Sequence, residues 1–197
     1  PRTSDELTAV LAKHNLKLAG YSLYVGTIEP RKNLETLLDA YALLPQSMRQ
    51  QWPLVITGYR GWRSEQLHAR IEAAVTAGWA RYLGFVDAEE LPLIYAGARL
   101  FVFPSLYEGF GLPILEAMAS GVPVVCSNAS TLPEVAGDAA AMFTPQDVGT
   151  LNQLIAAGLE DEAWRAKARN KGLLRAAEFS WQRCAQETAA VYQEVNS

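Results

Sequence analysis

The stretch YSLYVGTIEPRKNLETLLDAYALL (21–44) sets the reading of the whole chain. Its opening, YSLYVGT, is rich in Tyr and Val and runs into Gly26, the pattern of a buried strand entering a loop. IEPRKN then interrupts the apolar run. In NLETLLDAYALL (33–44), Leu34, Leu37, Leu38, Tyr41 and Leu44 recur at helical spacing behind Asn33, which stands where an N-cap would. This strand–loop–helix unit repeats along the chain: PLVITG (53–58) precedes a helical pattern over 64–77, ARYLGFV (80–86) one over 89–97, and RLFVFP (99–104) one near 111–119. VPVVCS (122–127) and AAMFT (140–144) supply two further apolar runs. A helical tail follows from 147 to 195, in which 161–179 and 180–195 read as two amphipathic helices packing on the outside.

Strands alternating with helices of about 10 to 15 residues imply crossover connections and hence a parallel sheet. Several strands are apolar on every residue, as expected when helices cover both faces. The expected fold is α/β, a doubly wound Rossmann-like parallel sheet of about six strands. Residues 1–20 carry little pattern and read as a linker or the end of a preceding element, 21–180 as the Rossmann-like domain, and 181–197 as a closing helix.

The 197 residues are half apolar and 19% charged, the balance of an ordinary globular domain. A chain of this size buries most of its apolar surface in one core, without help from a disulfide or metal. Cys126 and Cys184, the only cysteines, are too sparse for a disulfide framework or a zinc site. That usage fits a reducing compartment. No apolar run approaches the roughly 20 residues of a membrane-spanning helix, and PRTSDELTAV at the start lacks a signal-peptide pattern, so the expected location is cytoplasmic. A net charge of −4 argues against nucleic acid as a partner. His14 and His68 have no Cys or carboxylate at metal-ligand spacing and read as surface residues, so neither a metal nor a cofactor is expected. Trp52, Trp62, Trp79, Trp164 and Trp181 read as core or packing residues.

In an open parallel sheet, ligands sit at the carboxyl ends of the strands, so the loops IEPRKN, GYRGWR, FVDAEE and PSLYEGFG face one crevice. The most informative segment is PSLYEGFGLPILEAMASGVPVV (104–125). Gly109 and Gly111 flank Phe110 between a strand and a helix, which lets the backbone approach a ligand and offer N–H groups to a phosphate or a sugar hydroxyl. Pro113 fits a first helical turn, which puts Glu116 about one turn from the helix start, where its carboxylate can accept two hydrogen bonds from a diol such as a ribose. Glu108 is placed to do the same for a second sugar. Arg31 and Lys32 offer fixed cations for the charge that grows on a departing diphosphate. Plainer readings stand beside these. An acid near a helix start complements the dipole, and Gly-x-Gly turns are common anywhere. Arg31 and Lys32 also suit a solvated turn beside Asn33, Val86 a plain strand end, and Ser105 and Tyr107 an ordinary loop.

As a string, residues 104–125, with Glu-x(7)-Glu inside EGFGLPILE and then ASGVPVV, closely resemble the signature of the retaining family-4 glycosyltransferases of the GT-B fold. VGTIEPRKN resembles that family's diphosphate-binding loop, GYRGW its loop after the second strand, LGFVDAEELPLIYAGA its nucleobase-binding loop, and FSWQRCAQETAAVYQEV its closing helix. The resemblance implies that Glu116 binds the ribose and Glu108 the donor sugar. It also implies that Gly109, Phe110, Gly111 and Leu112 meet the sugar and distal phosphate, that Gly26, Thr27, Arg31 and Lys32 meet the diphosphate, and that Val86 lines the base. Many members carry Arg where this chain has Thr27, which leaves the second positive charge to Arg31, Arg60 or Arg63. Thr followed by EPRKN resembles a subgroup rich in mannosyltransferases of surface-polysaccharide synthesis, implying GDP-mannose, or else a UDP-sugar, as donor substrate. The resemblance further implies a glycan or lipid-linked acceptor bound by an N-terminal domain absent from this chain, through which the whole enzyme would associate peripherally with the inner face of a membrane. A non-catalytic Rossmann-like binding module is the competing reading. Such a module would be expected to lose one of Glu108, Glu116 or Lys32, and all three are present. A nicotinamide dehydrogenase fits less well, because the first loop reads GTIEPRKN rather than Gly-x-Gly-x-x-Gly.

Overall fold

A computed structural model describes residues 3–195. The chain opens with α1 (Ser4–Lys13), then β1 (Ser22–Val25), α2 (Leu34–Ala42), α3 (Gln46–Gln51), β2 (Leu54–Thr57), α4 (Glu65–Thr76), β3 (Ala80–Gly84), α5 (Leu91–Gly97) and β4 (Leu100–Phe103). It continues through α6 (Leu112–Ala119), β5 (Val124–Ser127), α7 (Leu132–Ala136), β6 (Ala140–Phe143), α8 (Val148–Glu160), α9 (Glu162–Ala177) and α10 (Trp181–Val195). All six strands pair in parallel, in the order β3-β2-β1-β4-β5-β6. The doubly wound sheet expected from the strand–helix alternation is the observed fold. Among the described residues, no helix is long and apolar enough to cross a membrane.

The burial pattern explains why uniformly apolar strands form this sheet. Every residue of β2, β4 and β5 is buried, whereas the edge strands β3 and β6 are only partly covered. Helices α2, α4 and α8 pack together on one face, and α1, α5, α6, α7 and α9 form the succession on the other. Chain order reverses between β1 and β4, which pair with each other although α2 to α5 intervene. The carboxyl ends of these two strands therefore open a crevice with no crossover connection covering it, the position where such sheets take ligands.

Beyond the strand ends, the loops after β1 and β2 stay laced together. Gly26 donates to Thr57 O at 3.0 Å, Ile28 to Tyr59 O at 2.9 Å, and Gly61 back to Ile28 O at 3.0 Å. Gly58 makes this approach possible. At φ +143°, a Cβ there would lie 2.0 Å from the Gly26 carbonyl oxygen, so the loops would have to part. Gly58→Ala is expected to destabilise the chain by about 2–3 kcal/mol, read as a lower melting temperature. A melting temperature equal to wild type would mean that the two loops are not held at this distance.

The structure departs from the sequence reading in several places. The first residues form α1, closed by a capping box in which Thr3 N donates to Glu6 Oε2 at 2.8 Å and Glu6 N to Thr3 Oγ1 at 3.2 Å. Leu11 buries that helix against α5, close to Gly97. Helix α3 was not anticipated. α9 packs on the outside of α6 as expected, but α10 is exposed along its whole length, with no buried residue, and does not pack as the tail pattern suggested. His68 is buried against the Tyr82 ring rather than on the surface, and His14 Nε2 lies 2.9 Å from Glu90 Oε2. Trp52, Trp79 and Trp164 pack against the core, while Trp62 and Trp181 are exposed.

Candidate functional site

At the carboxyl end of β1, Pro30–Lys32 form a single 3₁₀ turn that the fixed φ of Pro30 starts and Asn33, in the left-handed region at φ +57°, ends. Asn33 stands at the α2 N-cap position, as read from the sequence, but its side chain caps no helical amide. Its Nδ2 donates instead to the carbonyls of Pro104 at 3.0 Å and Pro145 at 2.7 Å, and its Oδ1 accepts the Thr36 hydroxyl. Leu106 N donates to Arg31 O at 2.8 Å. These bonds tie the basic turn to the loop after β4, across the point where strand order reverses, and to the segment after β6.

The side chains complete the junction. Lys32 is buried, with Nζ 2.6 Å from Glu108 Oε1 and 5.3 Å from the centre of the Phe103 ring. The half-exposed Arg31 reaches Glu108 Oε2 through Nη1 at 3.0 Å and Glu29 Oε1 through Nε at 2.6 Å. Glu29 in turn accepts the Trp62 indole N–H at 2.9 Å. A chain Trp62–Glu29–Arg31–Glu108–Lys32 thus lines the crevice, its two carboxylates matched by two cations. Burial pushes the Glu108 carboxyl upward, but the hydrogen bond and charge of Lys32, together with Arg31, outweigh this and hold it below its ordinary value. Burial works against the Arg31 charge, yet the bonds and charges of Glu108 and Glu29 leave its pKa raised.

The loop carrying Glu108 is fixed from the far side. The Ser130 hydroxyl donates to Glu108 O, and the Thr131 hydroxyl lies 3.1 Å from that carbonyl and 2.9 Å from that of Phe110. Gly111, at φ +115°, stands at the α6 N-cap position, where a Cβ would come within 2.8 Å of Leu132 Cδ2. Gly109 and Phe110 are exposed between these anchors, and Leu112 and Pro113 begin the helix. Glu116 lies one turn further, past the first turn, which contains no acidic residue. Complementing the helix dipole does not account for it there. Its carboxylate is exposed and accepts the hydroxyl of buried Tyr95 at 2.9 Å.

Of the residues singled out in the sequence, Arg31, Lys32 and Glu108 meet directly, and 109–112 run on to the helix that carries Glu116. Gly26 and Thr27 sit on the loop laced to β2, and Val86 is buried just beyond β3. Arg63 stacks on the Trp62 ring, and Arg60 pairs across to Ile28; burial first, and the Arg60 charge second, lower the pKa of His68. Ser105 is fully buried, its carbonyl accepting the Ser127 hydroxyl, while Tyr107 is exposed. Three residues of the arrangement were not singled out as site residues: Glu29, Trp62 and Tyr95. Glu29 and Trp62 lie inside the quoted loops, but nothing in one sequence shows that they bond to each other.

A Rossmann-like sheet whose switch-point crevice gathers a basic turn, an acidic Gly-rich loop and a carboxylate one turn into the next helix defines a class, and the chain belongs to it. Residues 12–175 match the family described as "Glycosyl transferases group 1". The O-antigen chain mannosyltransferase B of Escherichia coli is 51% identical over 192 residues, which are 98% of this chain and 50% of that protein. Sucrose-phosphate synthase from Thermosynechococcus elongatus superimposes with a TM-score of 0.81 at 28% identity, covering 95% of this chain and 48% of that one. Anabaena Alr3699/HepE, solved in complex with UDP and glucose, shares the fold with a TM-score of 0.85 at 22% identity, covering 98% and 53%. The chain therefore spans about half the length of each of these proteins.

Proposed function

We propose that this chain is the nucleotide-sugar-binding half of a retaining hexosyltransferase, with GDP-mannose as the first candidate donor and a glycan or lipid-linked acceptor. The observation that carries the reading is the direct junction of Arg31 and Lys32 with Glu108 at the switch point, since it sets cations for a diphosphate beside a carboxylate for a sugar. Family membership and the mannosyltransferase relative support the hexosyl and mannosyl parts of it. Glu116 takes the ribose diol, Gly109 to Leu112 the donor sugar and distal phosphate, Gly26 and Thr27 the phosphates, and Val86 borders the base. In the reaction, the bond between the sugar C1 and the β-phosphate oxygen breaks and the electron pair leaves with the nucleoside diphosphate. The acceptor hydroxyl adds on the same face and gives up its proton to the departing β-phosphate oxygen. Arg31 and Lys32 stabilise the leaving charge more in the transition state than in the ground state. The acceptor would sit on a partner domain of similar size, so the isolated chain binds nucleotide weakly and transfers nothing.

Calorimetric titration with GDP, UDP and ADP tests this. Binding of one of them in the millimolar range or tighter, with GDP first, is expected, and silence from all three overturns the reading. Glu116→Ala is expected to weaken that binding by about 1–3 kcal/mol, the scale of a charge-assisted hydrogen bond. An unchanged affinity would remove Glu116 from the site.

A further inference from the structure

An unbroken row of buried aromatic rings runs beneath the crevice. Lys32 Nζ stands 5.3 Å from the Phe103 ring centre, Phe103 stacks on Phe101 at 5.9 Å, and Phe101 meets Tyr95 at 5.4 Å. At the end of the row, the Tyr95 hydroxyl donates to Glu116 Oε2 at 2.9 Å. Tyr95 is 1% exposed, whereas Glu116 is exposed. This asymmetry is informative. A glutamate on the outside of a helix samples several rotamers in water and loses that freedom when it clasps a ligand, while a packed tyrosine has none left to lose. The phenol stays a donor, because burial and the neighbouring carboxylate push its pKa well above the ordinary value. A single hydrogen bond from Tyr95 engages one of the four lone-pair positions of the carboxylate.

We propose that Tyr95 is a positioning residue: its hydroxyl holds the Glu116 carboxylate in the orientation that receives the two hydroxyls of a ribose. This rests on the donor-site reading and deepens it. The α5–α6 contact is then part of the recognition of the ribonucleotide, and the aromatic row fixes the spacing between the cation at the diphosphate end and the carboxylate at the ribose end.

The test titrates this chain, Tyr95→Phe, Glu116→Ala and the double variant with GDP, 2′-deoxy-GDP and 3′-deoxy-GDP, the UDP series in parallel. Tyr95→Phe keeps the ring against Phe101, so its melting temperature should stay close to wild type. It is expected to weaken GDP binding about three- to tenfold, as loss of one hydrogen bond does, and to narrow the preference for GDP over its deoxy forms. In the Glu116→Ala background it should add nothing. Glu116→Asp, a surface change that draws the carboxylate back from the hydroxyl, should reproduce the loss and serves if the core variant does not fold. Equal weakening of GDP and both deoxy forms by Tyr95→Phe, or an additive loss in the double variant, overturns the positioning role and leaves the donor site standing. A Glu116→Ala variant that keeps the full ribose preference, or a wild-type chain that binds no ribonucleotide, overturns the donor-site reading and this inference with it.

Discussion

Replacing Lys32 with alanine in the two-domain enzyme proposed above is expected to lower kcat by about 10²- to 10³-fold, with a much smaller change in donor affinity. The asymmetry follows from where charge develops. In the proposed donor complex, the diphosphate already carries its charge and would share it among Arg31, backbone amides and water. As the glycosidic bond breaks, a further negative charge gathers on the β-phosphate, and a fixed ammonium in a poorly hydrated place favours that state most. Lys32 meets the requirement: it is buried, held 2.6 Å from Glu108 and seated over the Phe103 ring, which would leave it little to reorganise in the proposed reaction. Steady-state kinetics with donor varied, together with direct titration of the donor, separates the two quantities. A large loss of affinity with kcat preserved would contradict a role on the leaving group.

Glu108→Gln is expected to act first on the fold. Lys32 and Glu108 are both 7% exposed, and the carboxylate is the partner that balances the buried ammonium. Removing one member of a buried pair leaves an uncompensated charge, at about 3–5 kcal/mol. For a chain of this size, that lowers the melting temperature by roughly 10 °C. Lys32→Met added to Glu108→Gln should recover part of the loss, because the orphaned charge goes with it. The pH dependence has a definite sign. The folded carboxyl titrates below its ordinary value of 4.5, so the stabilisation is fully present above that value and is lost as pH falls through the lower folded value. Melting curves taken from pH 6 downward should show wild type losing an increment below about pH 4.5 that the Glu108→Gln chain has already lost. Parallel curves for the two proteins would show that Glu108 contributes no such increment.

The sheet was legible because the strands are largely apolar and each is followed by a helical period, the pattern of a parallel sheet with helices on both faces. Helix α1 escaped notice although its signal was present: Thr3-Ser-Asp-Glu6 is a capping box, and the apolar Leu7, Val10 and Leu11 follow it. α10 shows the opposite failure. Its amphipathic period was read correctly as a helix, but periodicity says only that a face is apolar, and Trp181, Val191, Tyr192 and Val195 remain exposed. In the site, local sequence predicted which loops converge, because strand ends and topology determine that. It did not predict the cross-loop bonds. Glu29 to Trp62, Asn33 to Pro104 and Pro145, and Tyr95 to Glu116 join residues 21 to 112 positions apart, and none belongs to a periodic pattern. Gly58 belongs with these. Its need for a bare Cα comes from the Gly26 carbonyl on another loop as well as from its own φ of +143°.

The most direct test of the central claim is a crystal structure of this chain with GDP-mannose bound. A diphosphate against Arg31 and Lys32, the mannose hydroxyls on Glu108 and the ribose diol on Glu116, with the base beyond β3 near Val86, is the expected result. Ligand density away from the carboxyl ends of β1 and β4, or Glu108 and Glu116 both turned from the nucleotide, would contradict it.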